Sequence, residues 1–369
     1  MTELDPTTPE GAVARRAVRR RLAVVVTVAL ALGLVAAVLV VTRPGHEPSA
    51  GTTKAVPVDV SCPTATRCVA VDDLGNAITY DNGAWSAPEQ IDANGMSTVS
   101  CPTPTDCLAA DVSGAVVRTV GDGRWSAARV IDTSSVGKIS LDGLTSITVV
   151  SCAGAAFCMA GDVLGRVAVL HGLRHGAFEP VAPLAVTQSA LEKAVTDIDC
   201  PTTTFCAAVT DRGQALEWDG QRWQPGTALT SLDAAYAAQS RLRSTLSAVS
   251  CTSPVFCVAV DPTGVAYTYD GSGWSKGTTM DPGATTTGDE VGVNAVSCAS
   301  PVFCVAVDDN GYAVVFSGTS WSTPERIDST LGLTTVACPS PTFCIALDDI
   351  GKALVYDGSS WTAPRTIDR

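Results

Sequence analysis

The chain is poor in histidine, aromatic residues and charge. Its three histidines, His46, His171 and His175, are too few to complete metal sites with the cysteine pairs, and no Ser/His/Asp set, metal cluster or phosphate loop can be read from the sequence. Aromatic residues make up 5% and charged residues 17% of the 369 positions. Basic residues are the scarcer sign: 24 against 37 acids, a net charge of −13 with a pI near 4.6. An acidic surface repels phosphate backbones, which excludes nucleic acid as a natural partner. Hydrophobic residues, in contrast, reach 46%, enough for a large core.

What the chain has in quantity is repetition. The stretch Val336–Asp368 reads as two cysteines with five residues between them, an apolar alternation, Asp-x-x-Gly, a second alternation, a Gly turn, a Trp and a short polar strand. The same order occurs seven times, for example from Val60 and from Val296. Repeats too small to bury a core alone stack into one body, so length alone would overstate the domain count. First cysteines are separated by 39, 51, 48, 51, 47 and 40 residues, the size of a four-stranded propeller blade. The expected fold is all-β: a seven-bladed β-propeller of four-stranded antiparallel blades over residues 57–369, preceded by one N-terminal transmembrane helix.

The 14 cysteines fall as Cys62/Cys68, Cys101/Cys107, Cys152/Cys158, Cys200/Cys206, Cys251/Cys257, Cys298/Cys304 and Cys338/Cys344. Even, local pairing with none left over predicts disulfides and an oxidising compartment. Zinc held by four thiolates is the rival, and seven pairs divide badly into fours. Each bridge would clamp the hairpin of strands one and two.

Residues 1–21 form a polar tail ending in Arg15, Arg16, Arg19, Arg20 and Arg21. Leu22–Val41 carries no charge, and at helical rise it spans about 30 Å. The reading is a transmembrane helix at 22–42 with a cytoplasmic N-terminus and an extracellular C-terminal domain. A cleaved signal peptide is the alternative; the run is long for one and no Ala-x-Ala site follows. Ala29, Gly33 and Ala37 offer a small-residue dimer face, though such residues are common in membrane helices. Residues 43–56, rich in Pro, Gly, Ser and Thr, read as a linker of at most about 45–50 Å.

Within a repeat, the second strand alternates bulky and small residues. In repeat six, Phe303, Val305 and Val307 share one face, and Cys304, Ala306 and Asp308 the other. The bulky face of one sheet would fit the small face of the next. Asp-x-x-Gly supplies a turn in six repeats, with Thr210 and Gly213 in the fourth. Single aspartates at separate turns lack the clustered oxygens that calcium needs, so no metal or cofactor is expected. Trp85, Trp125, Trp223, Trp274, Trp321 and Trp361, with Phe178 in repeat three, read as plugs between blades; stacking on sugars is the alternative.

The pattern Ser-Cys-Pro-(Ser/Thr)-x-x-Phe-Cys-x-Ala-Val-Asp, then Gly-x-Ala, then Tyr-Asp-Gly-x-x-Trp-Ser-x-Pro, clearest at 250–274, 297–321 and 337–361, resembles repeats of extracellular bacterial β-propellers that are often membrane-anchored. Thr79–Trp85 is similar to the Asp-box turn of sialidase-type propellers, one residue short. The arginine triad, Tyr nucleophile and acid of a sialidase are not matched. In topology the chain is similar to propeller sensor ectodomains. The resemblance implies fold and compartment, not an activity.

Function is sought where the copies diverge. The longest links from the aromatic to the next cysteine are four consecutive ones, Asp132–Ser146, Glu179–Thr196, Gln224–Thr245 and Lys276–Val293. They would form one arc on the face that carries the Asp-x-x-Gly turns, opposite the disulfide hairpins. Ser231–Leu242 reads as a short helix. Candidate ligand contacts are Lys138, Arg174, His175, Lys193, Tyr236, Arg241 and Arg243. The expectation is a non-enzymatic binding or sensing module for a protein, peptide or wall glycan in the cell envelope. The alternatives are a polysaccharide hydrolase or lyase with carboxylates at the central channel, and a structural envelope scaffold.

Overall fold

The computed structural model describes residues 55–119, 123–131, 147–173, 176–179, 182–184, 194–230, 245–285 and 292–367. The predicted transmembrane helix at 22–42 and the predicted helix at 231–242 lie outside them. Among the described residues no helix is long and apolar enough to cross a membrane.

Seven antiparallel sheets follow one another along the chain, each of consecutive strands. Blade six is representative: Val293–Ser300, Phe303–Asp308, Tyr312–Phe316 and Glu325–Arg326. The first strands pack in a circle. Pro57–Thr64 of blade one touches both Met96–Thr103 of blade two and Leu333–Ser340 of blade seven. The ring therefore closes by packing, with no strand exchanged between the first and last blades.

The alternation of the second strand explains why the sheets stack. Val305 and Val307 of blade six enter a cluster with Leu333, Val336, Cys344, Ala346 and Leu354 of blade seven. Cys304 and Ala306, on the other face, meet Val258, Val260 and Met280 of blade five. Bulky residues of one blade thus fill the space left by Cys and Ala of the next. The same arrangement closes the circle, where Ile345 and Leu347 pack on Cys68, Ala70 and Ile78. Every seam excludes water from aliphatic surface at roughly 25 cal/mol per Å².

All seven predicted disulfides are present: Cys62–Cys68, Cys101–Cys107, Cys152–Cys158, Cys200–Cys206, Cys251–Cys257, Cys298–Cys304 and Cys338–Cys344. Among the described residues no cysteine is free. Each bridge joins the first two strands of its blade as expected, with Cys152 opposite Cys158, Cys251 opposite Cys257 and Cys298 opposite Cys304, and the bridges are also part of the seams. The second cysteine of every pair is buried: Cys68, Cys107, Cys158, Cys206, Cys257, Cys304 and Cys344. Cys107 clusters with Val69 and Val71 of blade one, and Cys158 with Leu108 and Ala110 of blade two. Cys206 joins Met159 and Val167 of blade three, and Cys257 joins Ala207 and Val209 of blade four. The reason is position: the second strand is covered by a neighbouring sheet on each face. These seven sulfurs therefore act as small core residues, and none of them belongs to a surface that a ligand can reach.

The aromatic residues also sit at seams. Trp223 is buried between blades three and four, and Trp361 packs on the cluster of blades six and seven. Trp274 in addition donates its indole N–H to Glu217 Oε1 of the preceding blade at 2.6 Å.

The fourth strand is not one continuous element from the aromatic onward. It is a single bridge at the aromatic, Tyr356 to Trp361, and a separate pair at Arg365–Thr366. The hydroxyl of the residue after the aromatic takes the place of a ladder carbonyl there: Thr362 Oγ1 accepts the Val355 N–H at 3.0 Å, as Ser275 Oγ accepts that of Thr268 at 2.9 Å. Blade one shows the same interruption between Ala84–Trp85 and Glu89–Gln90, with the Thr79 N–H on Ser86 Oγ at 3.0 Å.

The two ends of the ring differ. Gly271 and Gly318, in the turns before the tryptophans, abut Val255 and Val302 of the disulfide hairpins. At the opposite end Gly264, at φ +82°, approaches the backbone of Asp281 so closely that a Cβ would collide with it. The turn glycine and the end of the fourth strand are thereby locked together, as Met280 N–H on Gly264 O also shows.

Candidate functional site: the axial channel and the insertion face

The first strands of all seven blades line a central cavity of about 400 Å³. Its wall is polar although each strand is also part of a core. Successive residues point alternately to opposite sides of the sheet, so the residue before each first cysteine is free to reach the neighbouring blade. Ser61 Oγ accepts the Cys101 N–H at 2.9 Å, Ser100 Oγ that of Cys152 at 3.1 Å and Ser151 Oγ that of Cys200 at 2.9 Å. Asp199 Oδ2 accepts from Cys251 at 2.7 Å, Ser250 from Cys298 at 3.0 Å and Ser297 from Cys338 at 2.9 Å. At the seventh junction the equivalent residue is Ala337, which has no acceptor.

A second tier lies two residues earlier. Asp59 Oδ2 accepts from Val99 N–H at 2.9 Å and from Thr98 Oγ1 at 3.0 Å. Thr98 Oγ1 in turn accepts the Val150 N–H at 3.3 Å. Asp197 Oδ2 accepts the Val249 N–H at 2.8 Å. The channel wall is thus a belt of side chain to main chain bonds running across the seams.

Three carboxyls, Asp59, Asp197 and Asp199, share this wall. Burial pushes Asp59 up to about 6, opposed by the N–H of Val99 and the hydroxyl of Thr98. Burial likewise pushes Asp199 up to about 6, opposed first by the Cys251 N–H. Asp197 is raised well above the usual carboxylate range, by burial first and also by the charges of Asp199 and Asp59, against the Val249 N–H. No lysine, arginine or histidine is among the described residues lining the channel. The site can accept hydrogen bonds and attract a cationic group. Sequence reading missed these three residues. The available signal was the Asp of Ile198-Asp199-Cys200, where five of the other repeats carry Ser.

The ligand contacts expected from sequence, Lys138, Arg174, His175, Lys193, Tyr236, Arg241 and Arg243, lie outside the described residues. Their flanks can be placed. Ile131, Leu184, Leu229 and Met280, from which the four long connections depart, each donate an N–H to the glycine carbonyl of their own blade's turn: Gly114, Gly165, Gly213 and Gly264. All four connections therefore leave on one end of the ring. Leu173 and Gly172, just before Arg174 and His175, bond instead to Ala155 and Ala156 of a disulfide hairpin, at the other end.

No protein-family profile matches this chain, and no curated protein sequence matches it. Several solved structures share its fold. YCF48 bound to D1 peptide superposes with a TM-score of 0.60 at 14% identity, over 83% of this chain and 92% of that one. The β-propeller domain of Cps50 (Swd1) from Myceliophteria thermophila gives 0.61 at 11% identity, over 83% and 100%. YCF48 from Cyanidioschyzon merolae gives 0.56 at 14%, over 83% and 96%. At such identities the likeness establishes the seven-bladed propeller and nothing finer.

Proposed function

We propose that this protein is a non-enzymatic binding or sensing module, held at the outer side of a cell membrane by residues 22–42, that takes a protein or peptide ligand on its insertion face. The observation that carries the reading is the departure of four consecutive long connections from one end of a rigid ring. Loops on rigid scaffolds are where binding residues concentrate. A propeller of this fold is known bound to a peptide, which favours peptide over wall glycan. The outer location is supported by the seven bridges, which persist in oxidising compartments, and by the arginines that precede the uncharged run.

The test is crosslinking of the full-length protein in living cells, followed by identification of what is captured. Tyr236→Ala with Arg241→Ala should lower capture of a defined partner while leaving the folded fraction unchanged. Undiminished capture would remove the insertion face as the binding surface. A second reading, a polysaccharide hydrolase or lyase, draws on the three carboxyls in the channel. It requires turnover of labelled wall glycan that Asp197→Asn abolishes.

A further inference from the structure

In the six repeats that carry it, the Asp of Asp-x-x-Gly uses Oδ1 alike, accepting the amides two and four residues on. Examples are Asp72 with Leu74 and Asn76, and Asp308 with Asn310 and Tyr312. The second oxygen is treated differently from blade to blade. Asp72 Oδ2 is met by Asn76 Nδ2 at 2.8 Å. Asp111 Oδ2 is met by Ser113 Oγ at 2.6 Å and Asn94 Nδ2 at 2.9 Å. Asp162 Oδ2 is met by Arg166 at 2.6 Å, and Asp261 Oδ2 by the Tyr267 hydroxyl at 3.1 Å. Each sequence supplies a local donor.

Blade six does not. Asp308 faces Asp281, the acid that ends blade five. Asp281 spends Oδ1 on the Gly283 N–H at 2.9 Å, and its Oδ2 is met by no N–H or hydroxyl donor, only by the Asp308 carboxyl, although the residue is only 2% exposed. Both acids line a cavity of about 380 Å³ with Asn310, Tyr312 and Arg326. The arginine is engaged elsewhere: its guanidinium donates to the carbonyls of Asp328 and Ser329 and lies over the Tyr312 ring. Two buried carboxyls facing each other cannot both stay charged and alone, because an unpaired buried charge is costly: they either share a proton or take a cation between them. The next seam repeats the pairing as Asp328 and Asp348, but there Lys352 supplies positive charge near Asp348.

We propose that Asp281 and Asp308 form a site for a hard divalent cation, calcium or magnesium, completed by water and by the amide oxygen of Asn310. Two carboxylates with retained waters are an ordinary ligand set for such ions, and the cavity has room for both. The site corrects the expectation that each turn acid stands alone, since the fourth strand of one blade delivers a second acid to the turn of the next. Asp281 is also where the last long connection departs, so the ion would pin the base of that insertion. This goes beyond the binding function proposed above and does not depend on it.

The test uses the full-length protein in detergent, stripped with EDTA, at pH 8. Equilibrium dialysis with 45Ca should find one ion per chain. Calcium chloride at 10 mM should raise the melting midpoint by at least about 2 °C over sodium chloride of equal ionic strength, because a ligand of the native state shifts unfolding. Asp281→Asn and Asp308→Asn should each weaken binding at least tenfold, and Asp111→Asn should leave it unchanged. No bound calcium and no thermal shift with either ion would overturn the proposal and leave the pair holding a shared proton. Binding that survives both substitutions would overturn it as well.

Discussion

Thr335 Oγ1 donates to Asp59 Oδ1 at 3.3 Å, although 276 residues separate them. This bond stands at the seam between the last blade and the first, where Ala337 lacks the oxygen that Ser or Asp provides at the other six junctions. Asp59 compensates by bonding to blades on both sides of its own. The closing seam has the same aliphatic packing as the rest but fewer of these cross-blade bonds.

Ala337→Ser should therefore stabilise the ring, by supplying an acceptor for the Cys62 N–H as Ser297 does for Cys338. A net hydrogen bond of this kind is worth about 1 kcal/mol. Asp59→Ala should cost more, about 2–4 kcal/mol, since main-chain and hydroxyl donors of two blades lose a charged acceptor. Urea midpoints of the two variants, read by tryptophan fluorescence, should move in opposite directions. A neutral Asp59→Ala would deny the seam this importance.

The channel acids make stability depend on pH. Asp59 and Asp199 are each raised to about 6 from an ordinary 3.8. The folded state then holds protons that the unfolded chain has released, so stability falls as pH rises from about 4 to about 6 and levels off above it. Asp219, Asp270 and Asp357 run the other way. Turn N–H and hydroxyl groups hold them below the usual range, and their contribution is lost only at more acid pH. The melting midpoint should be higher at pH 4.5 than at pH 7, and Asp59→Asn with Asp199→Asn should flatten that slope. A midpoint that rises over this interval would contradict the assignment.

Much of this fold is legible because one requirement is repeated seven times. A sheet buried on both faces needs bulky residues opposite small ones, and Phe303, Val305 and Val307 against Cys304 and Ala306 state that requirement in six letters. Pairing of cysteines six apart is equally local. That Cys107, Cys158, Cys206 and Cys257 would also fill seams is less so, since it depends on which sheet covers the second strand. The interruption of the fourth strand is less visible too, because it depends on a hydroxyl such as that of Thr362 taking the N–H of a strand-three residue, Val355. The facing of Asp281 and Asp308 was not legible at all, because it depends on how neighbouring blades are set against each other. The channel acids were half visible: Asp199 breaks a run of serines, but nothing local says that the residue faces an axis.

The bridges should be both complete and individually dispensable. Thiol titration of the unreduced, unfolded protein should find less than one reactive cysteine per chain, consistent with seven closed pairs. Each loop is short, with a sequence separation of 6, so removing one pair by Cys298→Ala with Cys304→Ala should cost about 2 kcal/mol. The variant should remain a folded ring, with an unaltered far-ultraviolet spectrum and a lower melting midpoint.

The aromatic plugs give the last prediction. Trp274 belongs to blade five, yet its indole N–H reaches Glu217 of blade four at 2.6 Å. Burial raises the Glu217 carboxyl above its ordinary value, and the indole N–H opposes that rise. Trp274→Phe keeps an aromatic body in the seam but leaves Glu217 short of a donor, so it should cost about 1–2 kcal/mol. Glu217→Gln should recover part of that loss in the Trp274→Phe background, because a neutral amide is less penalised when unpaired. A double-mutant cycle on melting midpoints separates the hydrogen bond from the packing. A coupling near zero would mean that the tryptophan acts at this seam only by filling space.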